Sequence, residues 1–340
     1  MNNVTSIPIT GSRSGGFALT VMAACVSTIA LISSATAAEF EFRLGHPLQP
    51  TDATQTAMVS FADGVRERTD GRVEIEVFPS DQLGAQKDVG EMLVQGASVI
   101  QFTDFLFLAQ WVPDTAVLQA PFLLSDLNDW YTLIESDWFA GIEDQLAAKN
   151  IRILSKNSYF GSRSIIGPKA IRSPADIAGE NIREANAQMY VEMAKSWGAR
   201  PVVVNFSEVY TALSQGVVDF VEVPPQTMVS SKFTEQRKVV SLTNHMVGWS
   251  PVIISESTFS ALPEDIQAIM IEEAAKAGDL LSELKRAGDK EIVATLREMG
   301  ITVIEDIDQK AFQDASAAAY ESFTEWTPGL AATVRAAAGE

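Results

Sequence analysis

Two arginines in the middle of the chain sit where anion chemistry could be done. Arg163 follows a glycine turn in Tyr159-Phe160-Gly161-Ser162-Arg163, and Arg183 closes the short strand-like stretch Asn181-Ile182-Arg183. A guanidinium stays charged and offers two parallel N–H donors to a carboxylate. Two of them at strand ends could converge on one acid, because ligands of open α/β sheets lie at the ends of strands. The residues alone leave open the commoner outcome, in which each arginine closes a surface salt bridge.

Signatures of catalysis are scarce. The sequence has no G-x-S-x-G, no Walker A stretch, no H-E-x-x-H and no Rossmann fingerprint. His46 and His245 are the only histidines, each beside an expected turn, and no local signature places either in a Ser-His-Asp triad. With one cysteine and two histidines, neither a metal site nor a disulfide is expected. No catalytic residues and no cofactor are expected either.

The address is read from the first 38 residues. They contain no Asp, Glu or Lys, and Arg13 precedes the apolar run Phe17 to Ile32, which ends in Ser33-Ser34-Ala35-Thr36-Ala37-Ala38. A positive start, a short apolar run and small residues at the end predict a secretory signal over 1–38, cleaved after Ala37 or Ala38. The run is short for a membrane span, which needs roughly 20 residues. Cys25 leaves with the signal. The chain has 25 basic and 44 acidic residues, for a net charge of −19. Such a surface repels nucleic acid and anionic lipid, so the pull on an anionic solute must come from a local pocket.

The elements that would position the arginines follow from patterning. Phe40–Leu44, Val73–Phe78 and Val99–Thr103 read as strands, separated by helices over Ala53–Arg68 and near Gln86–Gln95. That order predicts parallel α/β structure. The pattern restarts with strands at Ile151–Leu154, Ser164–Ile166, Asn181–Arg183, Pro201–Val204 and Val217–Val221, and helices at Met189–Trp197 and Ser207–Gln215. From Leu262-Pro263-Glu264 to Gly300 an apolar stripe predicts one helix, about 54 Å long at 1.5 Å per residue. Breaks near Gly278 or Gly288 are the alternative. At 340 residues and 46% hydrophobic content, two lobes are expected.

Nearly the whole mature chain resembles the solute-binding component of TRAP (tripartite ATP-independent periplasmic) transporters, the DctP family. The matching pieces, in order, include Gly71-Arg72-Val73-Glu74-Ile75, Phe78-Pro79-Ser80-Asp81-Gln82-Leu83-Gly84, Ala120-Pro121-Phe122-Leu123 and Ser173-Pro174-Ala175-Asp176-Ile177-Ala178-Gly179 with Ile182-Arg183. Phe206-Ser207-Glu208-Val209-Tyr210, Gly216-Val217-Val218-Asp219, Thr243-Asn244-His245 and Leu262-Pro263-Glu264 also fit. The resemblance implies an α/β, two-lobe clamp of the type II-like periplasmic-binding-protein kind, with a long lobe-spanning helix. Lobe I would comprise residues 39–160 and about 252–285, and lobe II residues 161–251 and about 286–340. It further implies that Arg183 pairs with the solute carboxylate, that Arg163 assists, and that Phe206 packs on the solute. By position Asn186, Asp104 and His46 would face the cleft, with Trp249 as a wall.

One departure stands out. Where many members read Asp-Gly-x-Glu-Asn-Pro, this chain has Asp219-Phe220-Val221-Glu222-Val223-Pro224. Val223 replaces an asparagine that commonly touches the solute, which hints at a less hydroxylated face on the ligand. The function implied is periplasmic capture of a small organic acid, with a sugar acid such as a uronate or aldonate favoured. A monomer would deliver it to small and large TRAP membrane subunits. A C4-dicarboxylate, a small mono-acid, a receptor-coupled sensing role and a secreted hydrolase are the alternatives.

Overall fold

Residues 38–124 and 127–340 are described in the computed structural model. The expected signal over 1–38, with Cys25, lies outside the described residues apart from Ala38. Nine strands follow: β1 (Phe40–Gly45), β2 (Val73–Phe78), β3 (Val99–Phe102), β4 (Ile151–Gly167), β5 (Asn181–Glu184), β6 (Arg200–Val203), β7 (Phe220–Val223), β8 (Val239–Ser255) and β9 (Thr302–Ile304). They form one sheet in the order β2-β1-β3-β8-β4-β7-β5-β6, with β9 also pairing β8.

The sheet is mixed, where the alternation of strands and helices predicts a parallel one. Each end is parallel, β2-β1-β3 on one side and β6-β5-β7 on the other. Antiparallel β4 and β8 join them. Both are 17 residues long, enough at about 3.3 Å per residue to run through both halves. The last residues of β8 pair β3 and the start of β4, while its first residues pair the end of β4 and β9. Ile151–Leu154 and Ser164–Ile166 are therefore parts of one strand, not two. Register shifts between Ser155 and Ser158 and between Tyr159 and Gly161 break the alternation that would have revealed it. His245, expected beside a turn, lies inside β8.

One helix, Glu264–Glu298, spans both halves without a break. Its Ile266, Met270, Ala274 and Leu281 belong to the core around β1 and β2, and its Ile292 and Leu296 to the core around β7. The two glycines are close approaches. A Cβ on Gly278 would lie 2.2 Å from Asn157 Oδ1, and one on Gly288 2.5 Å from Gln226 Oε1. The architecture is thus a two-lobe α/β clamp with a lobe-spanning helix. The tail ties the halves further: helix Gln309–Glu321 packs on helix Gln188–Ser196, while Leu330–Ala338 returns to helix Leu127–Ile134.

Candidate functional site

Arg183 sits near the end of β5, where parallel pairing with β6 brings the chain's Val204 carbonyl alongside. Its Nε donates to that carbonyl at 2.9 Å, and its guanidinium lies 5.6 Å from the Phe206 ring centroid. The residue is 3% exposed. Among the described residues this is its only hydrogen bond, so the Nη1/Nη2 edge has no protein acceptor. Burial pushes the Arg183 pKa down, with the charges of Glu184 and Glu222 opposing.

Arg163 is in the opposite condition. The chain reaches it through Gly161, which at φ +127° occupies a conformation other residues rarely adopt and lies against Pro224. Arg163 Nε donates to Glu222 Oε2 at 2.5 Å, and Nη2 donates to Oε1 at 2.7 Å and to the Glu222 carbonyl at 3.0 Å. Both side chains are buried. Burial works to raise the Glu222 pKa, but the Arg163 charge and its hydrogen bonds outweigh this and bring it to about 2. His245 adds to the hold: burial lowers its pKa, so it is neutral, accepting from Thr243 Oγ1 at Nδ1 (2.8 Å) and donating from Nε2 to Glu222 at 3.2 Å. The Arg163 guanidinium also lies 4.7 Å from the Tyr190 ring.

The two arginines line one small cavity of about 30 Å³, together with Asp104, Tyr190, Phe206 and Val223. A second cavity of about 200 Å³ shares Arg183, Gln86, Ala185 and Phe206 and adds Asp81, Asn186 and Asn205. The lobes are drawn together over this site. Ser207 N donates to Asp81 Oδ2 at 3.2 Å, and Ser230 Oγ to Asp52 Oδ2 at 2.8 Å. An inner space with room for about one water is what a clamp closed on itself leaves.

Residues 44–326 match the family of bacterial extracellular solute-binding proteins, family 7, DctP. The chain belongs to this family. Among its relatives is the 2,3-diketo-L-gulonate-binding periplasmic protein YiaO of Escherichia coli K12, 29% identical over 85% of this chain and 88% of that protein. A TRAP periplasmic solute-binding protein of Ochrobacterium anthropi, solved with bound L-fuconate, is 32% identical with a TM-score of 0.84, covering 88% of this chain and 99% of that one. Another from Actinobacillus succinogenes 130Z, with bound L-galactonate, is 28% identical with a TM-score of 0.85 and the same coverage.

Against the family pattern, the structure gathers five of the seven expected site residues and leaves two apart. Arg163, Arg183, Phe206 and Asp104 line the inner cavity, and Asn186 the outer one. Asp104 stands at the N-cap of helix Phe105–Leu108 without capping it; its carboxylate accepts from Tyr190 Oη at 3.0 Å and Ser250 Oγ at 3.1 Å. Burial raises its pKa, with Arg163 opposing. His46 does not line either cavity. Its Nε2 bonds Gln55 at 2.8 Å, and its neighbours Pro47 and Leu48 reach the wall instead. Trp249 is a core residue, stacked on Trp130 at 4.5 Å and 9°, and borders a separate cavity of about 560 Å³ behind the strands. Sequence reasoning missed Glu222, Tyr190, Gln86 and Thr103. Only Glu222 carried a signal, as the acidic member of the motif whose asparagine is Val223 here.

Proposed function

We propose that this protein captures a sugar acid by a single carboxylate on Arg183 and hands it to TRAP membrane subunits from the periplasm. The observation that carries the reading is the Nη1/Nη2 fork of Arg183, on a residue only 3% exposed, pinned through Nε to Val204 and, among the described residues, without a protein acceptor. A planar fork held in this way matches a carboxylate bidentately. Arg163 supports one carboxylate and not two, because its Nε/Nη2 edge is taken by Glu222 and only Nη1 remains for the solute. That weighs against a C4-dicarboxylate. Asp104, Gln86 and Asn186 supply partners for hydroxyls, and Val223 an apolar wall. The relatives' hydroxy-acid ligands, L-fuconate and L-galactonate, favour the same class.

In this reading residues 39–160 with about 252–285 form one lobe and 161–251 with about 286–340 the other, the tail helix Leu330–Ala338 reaching back across. The lobes open about the irregular middle of β4 and β8, admit the acid, and close over it. Closure removes water and strengthens the charge-assisted bonds. The acid shifts the balance only by its greater affinity for the closed form. The protein acts as a monomer and performs no catalysis.

Calorimetry with L-fuconate, L-galactonate, D-glucuronate and succinate tests this. At least one sugar acid binds more tightly than succinate, and Arg183→Ala loses roughly 100-fold or more, since each charge-assisted hydrogen bond contributes about 1.5–3 kcal/mol. Unchanged affinity in Arg183→Ala, or a preference for succinate, sinks the assignment.

A further inference from the structure

Beside Arg183 the same strand carries a carboxyl group that the site described above does not use. Glu184 is fully buried, and among the described residues neither of its oxygens has a hydrogen-bond partner. Pleating turns it to the face opposite Arg183. The parallel pairing of β5 with β7 sets Ile182 against Phe220 and Arg183 against Val221. The next pair along is therefore Glu184 and Glu222, two carboxyl groups side by side on one face.

The charged and titratable groups of this cluster come from every element around it. They are Glu222 on β7, Arg183 on the same strand, Arg163 on β4, His245 on β8, Tyr190 on helix Gln188–Ser196, and Asp104 beyond β3. Arg163 is already committed to Glu222, and His245 is neutral and also turned to Glu222. As an anion, Glu184 would stand without a donor next to a like charge, in a place closed to water. As an acid it has an acceptor at hand in Glu222. Burial first, and then the Glu222 carboxylate, push its pKa well above the usual range, with Arg183 and Arg163 opposing.

We propose that Glu184 is an un-ionised carboxylic acid in the closed cleft, its O–H donated to Glu222, and that solute capture takes up one proton to make it so. In the open, solute-free protein water reaches the end of β5, and the Glu184 carboxylate serves as counter-charge to Arg183. When a solute carboxylate docks on Arg183 from the cleft side, a second negative charge enters the same field and has to be discharged at Glu184. The proton comes from solvent, and no other co-reactant is involved. Glu184 is thus a positioning residue that competes with the solute for the field of Arg183 and makes capture pH-dependent. Affinity falls as pH rises, by up to tenfold per pH unit above the Glu184 pKa of the open protein.

This inference rests on the reading that Arg183 receives the solute carboxylate, and the experiment separates the two. The full-length mature chain is titrated with L-fuconate, L-galactonate and D-glucuronate in pairs of buffers that share a pH but differ in ionisation heat. The slope of observed heat against buffer heat counts protons taken up. Wild type takes up a fraction of a proton that grows toward one with rising pH. Glu184→Gln, whose amide mimics the acid, takes up none and binds with an affinity level across pH. Binding without proton uptake in wild type, or uptake that persists in Glu184→Gln, overturns the proposal and leaves the carboxylate site standing. If none of the three acids binds, the carboxylate reading fails and this inference falls with it.

Discussion

Removing the Glu222 carboxylate while keeping its shape is the sharpest test of how the arginine pair is divided. In Glu222→Gln the guanidinium of Arg163 stays buried, but its two side-chain bonds of 2.5 and 2.7 Å no longer reach an anion. One measure of the loss comes from proton linkage. A carboxyl held at about 2 in the fold, against 4.5 in the unfolded chain, contributes about 3 kcal/mol. Because its pKa is depressed by folding, that stability is fully present above about 4.5 and is lost as pH falls toward 2. An independent figure is the roughly 3–5 kcal/mol that breaking one side of a buried ion pair costs. The two agree.

Urea unfolding at neutral pH therefore shows Glu222→Gln destabilised by about 3–5 kcal/mol. The double variant Arg163→Met/Glu222→Leu costs much less than the two single changes added together, since no unpaired charge remains. Glu184 could complicate the single variant by giving up its proton and taking over Arg163, so Glu222→Gln is also made on the Glu184→Gln background, where the cost is larger. A loss below about 1 kcal/mol on both backgrounds, or strict additivity in the double variant, would refute the claim that Glu222 holds Arg163 as a buried pair.

Two further outcomes follow from the same geometry. Val223→Asn places an amide on the apolar wall and raises the affinity ratio of gluconate to 2-deoxygluconate about tenfold, the worth of one hydrogen bond; calorimetry on both acids checks it, and an unchanged ratio places Val223 away from the solute. Ser230→Ala removes the 2.8 Å bond to Asp52 that crosses between the lobes and speeds solute release roughly tenfold in stopped-flow tryptophan fluorescence, with the melting temperature nearly unchanged.

What could be read in the sequence was whatever depends on local pattern. The Glu264–Glu298 helix announced itself by an apolar stripe, and the stripe was right to run through Gly278 and Gly288, because those glycines answer to Asn157 and Gln226 across the groove and not to the helix itself. Arg183 was singled out through the family resemblance of its Ile182-Arg183 piece, which the residues alone leave open, and Val223 because it breaks the family's motif. The crossing strands were not legible. β4 and β8 are irregular through Lys156–Ser162, where the register slips, and a period-2 test fails on such a stretch even though the strand is continuous. The division of labour between the arginines was hidden for a different reason. Arg163 and Glu222 lie 59 residues apart and meet only because β4 and β7 are antiparallel neighbours with Ile165 opposite Glu222. By residue type and position alone the two arginines are equivalent, each a cation at the edge of a sheet, and only the family resemblance ranks Arg183 first. The register makes them unequal: one is a structural cation with its fork closed by glutamate, the other an open fork facing the cleft. The parallel register of β5 with β7 in turn brings Glu184 next to Glu222. A substitution at any of these four positions therefore changes the charge available to a solute, even where it touches no solute atom.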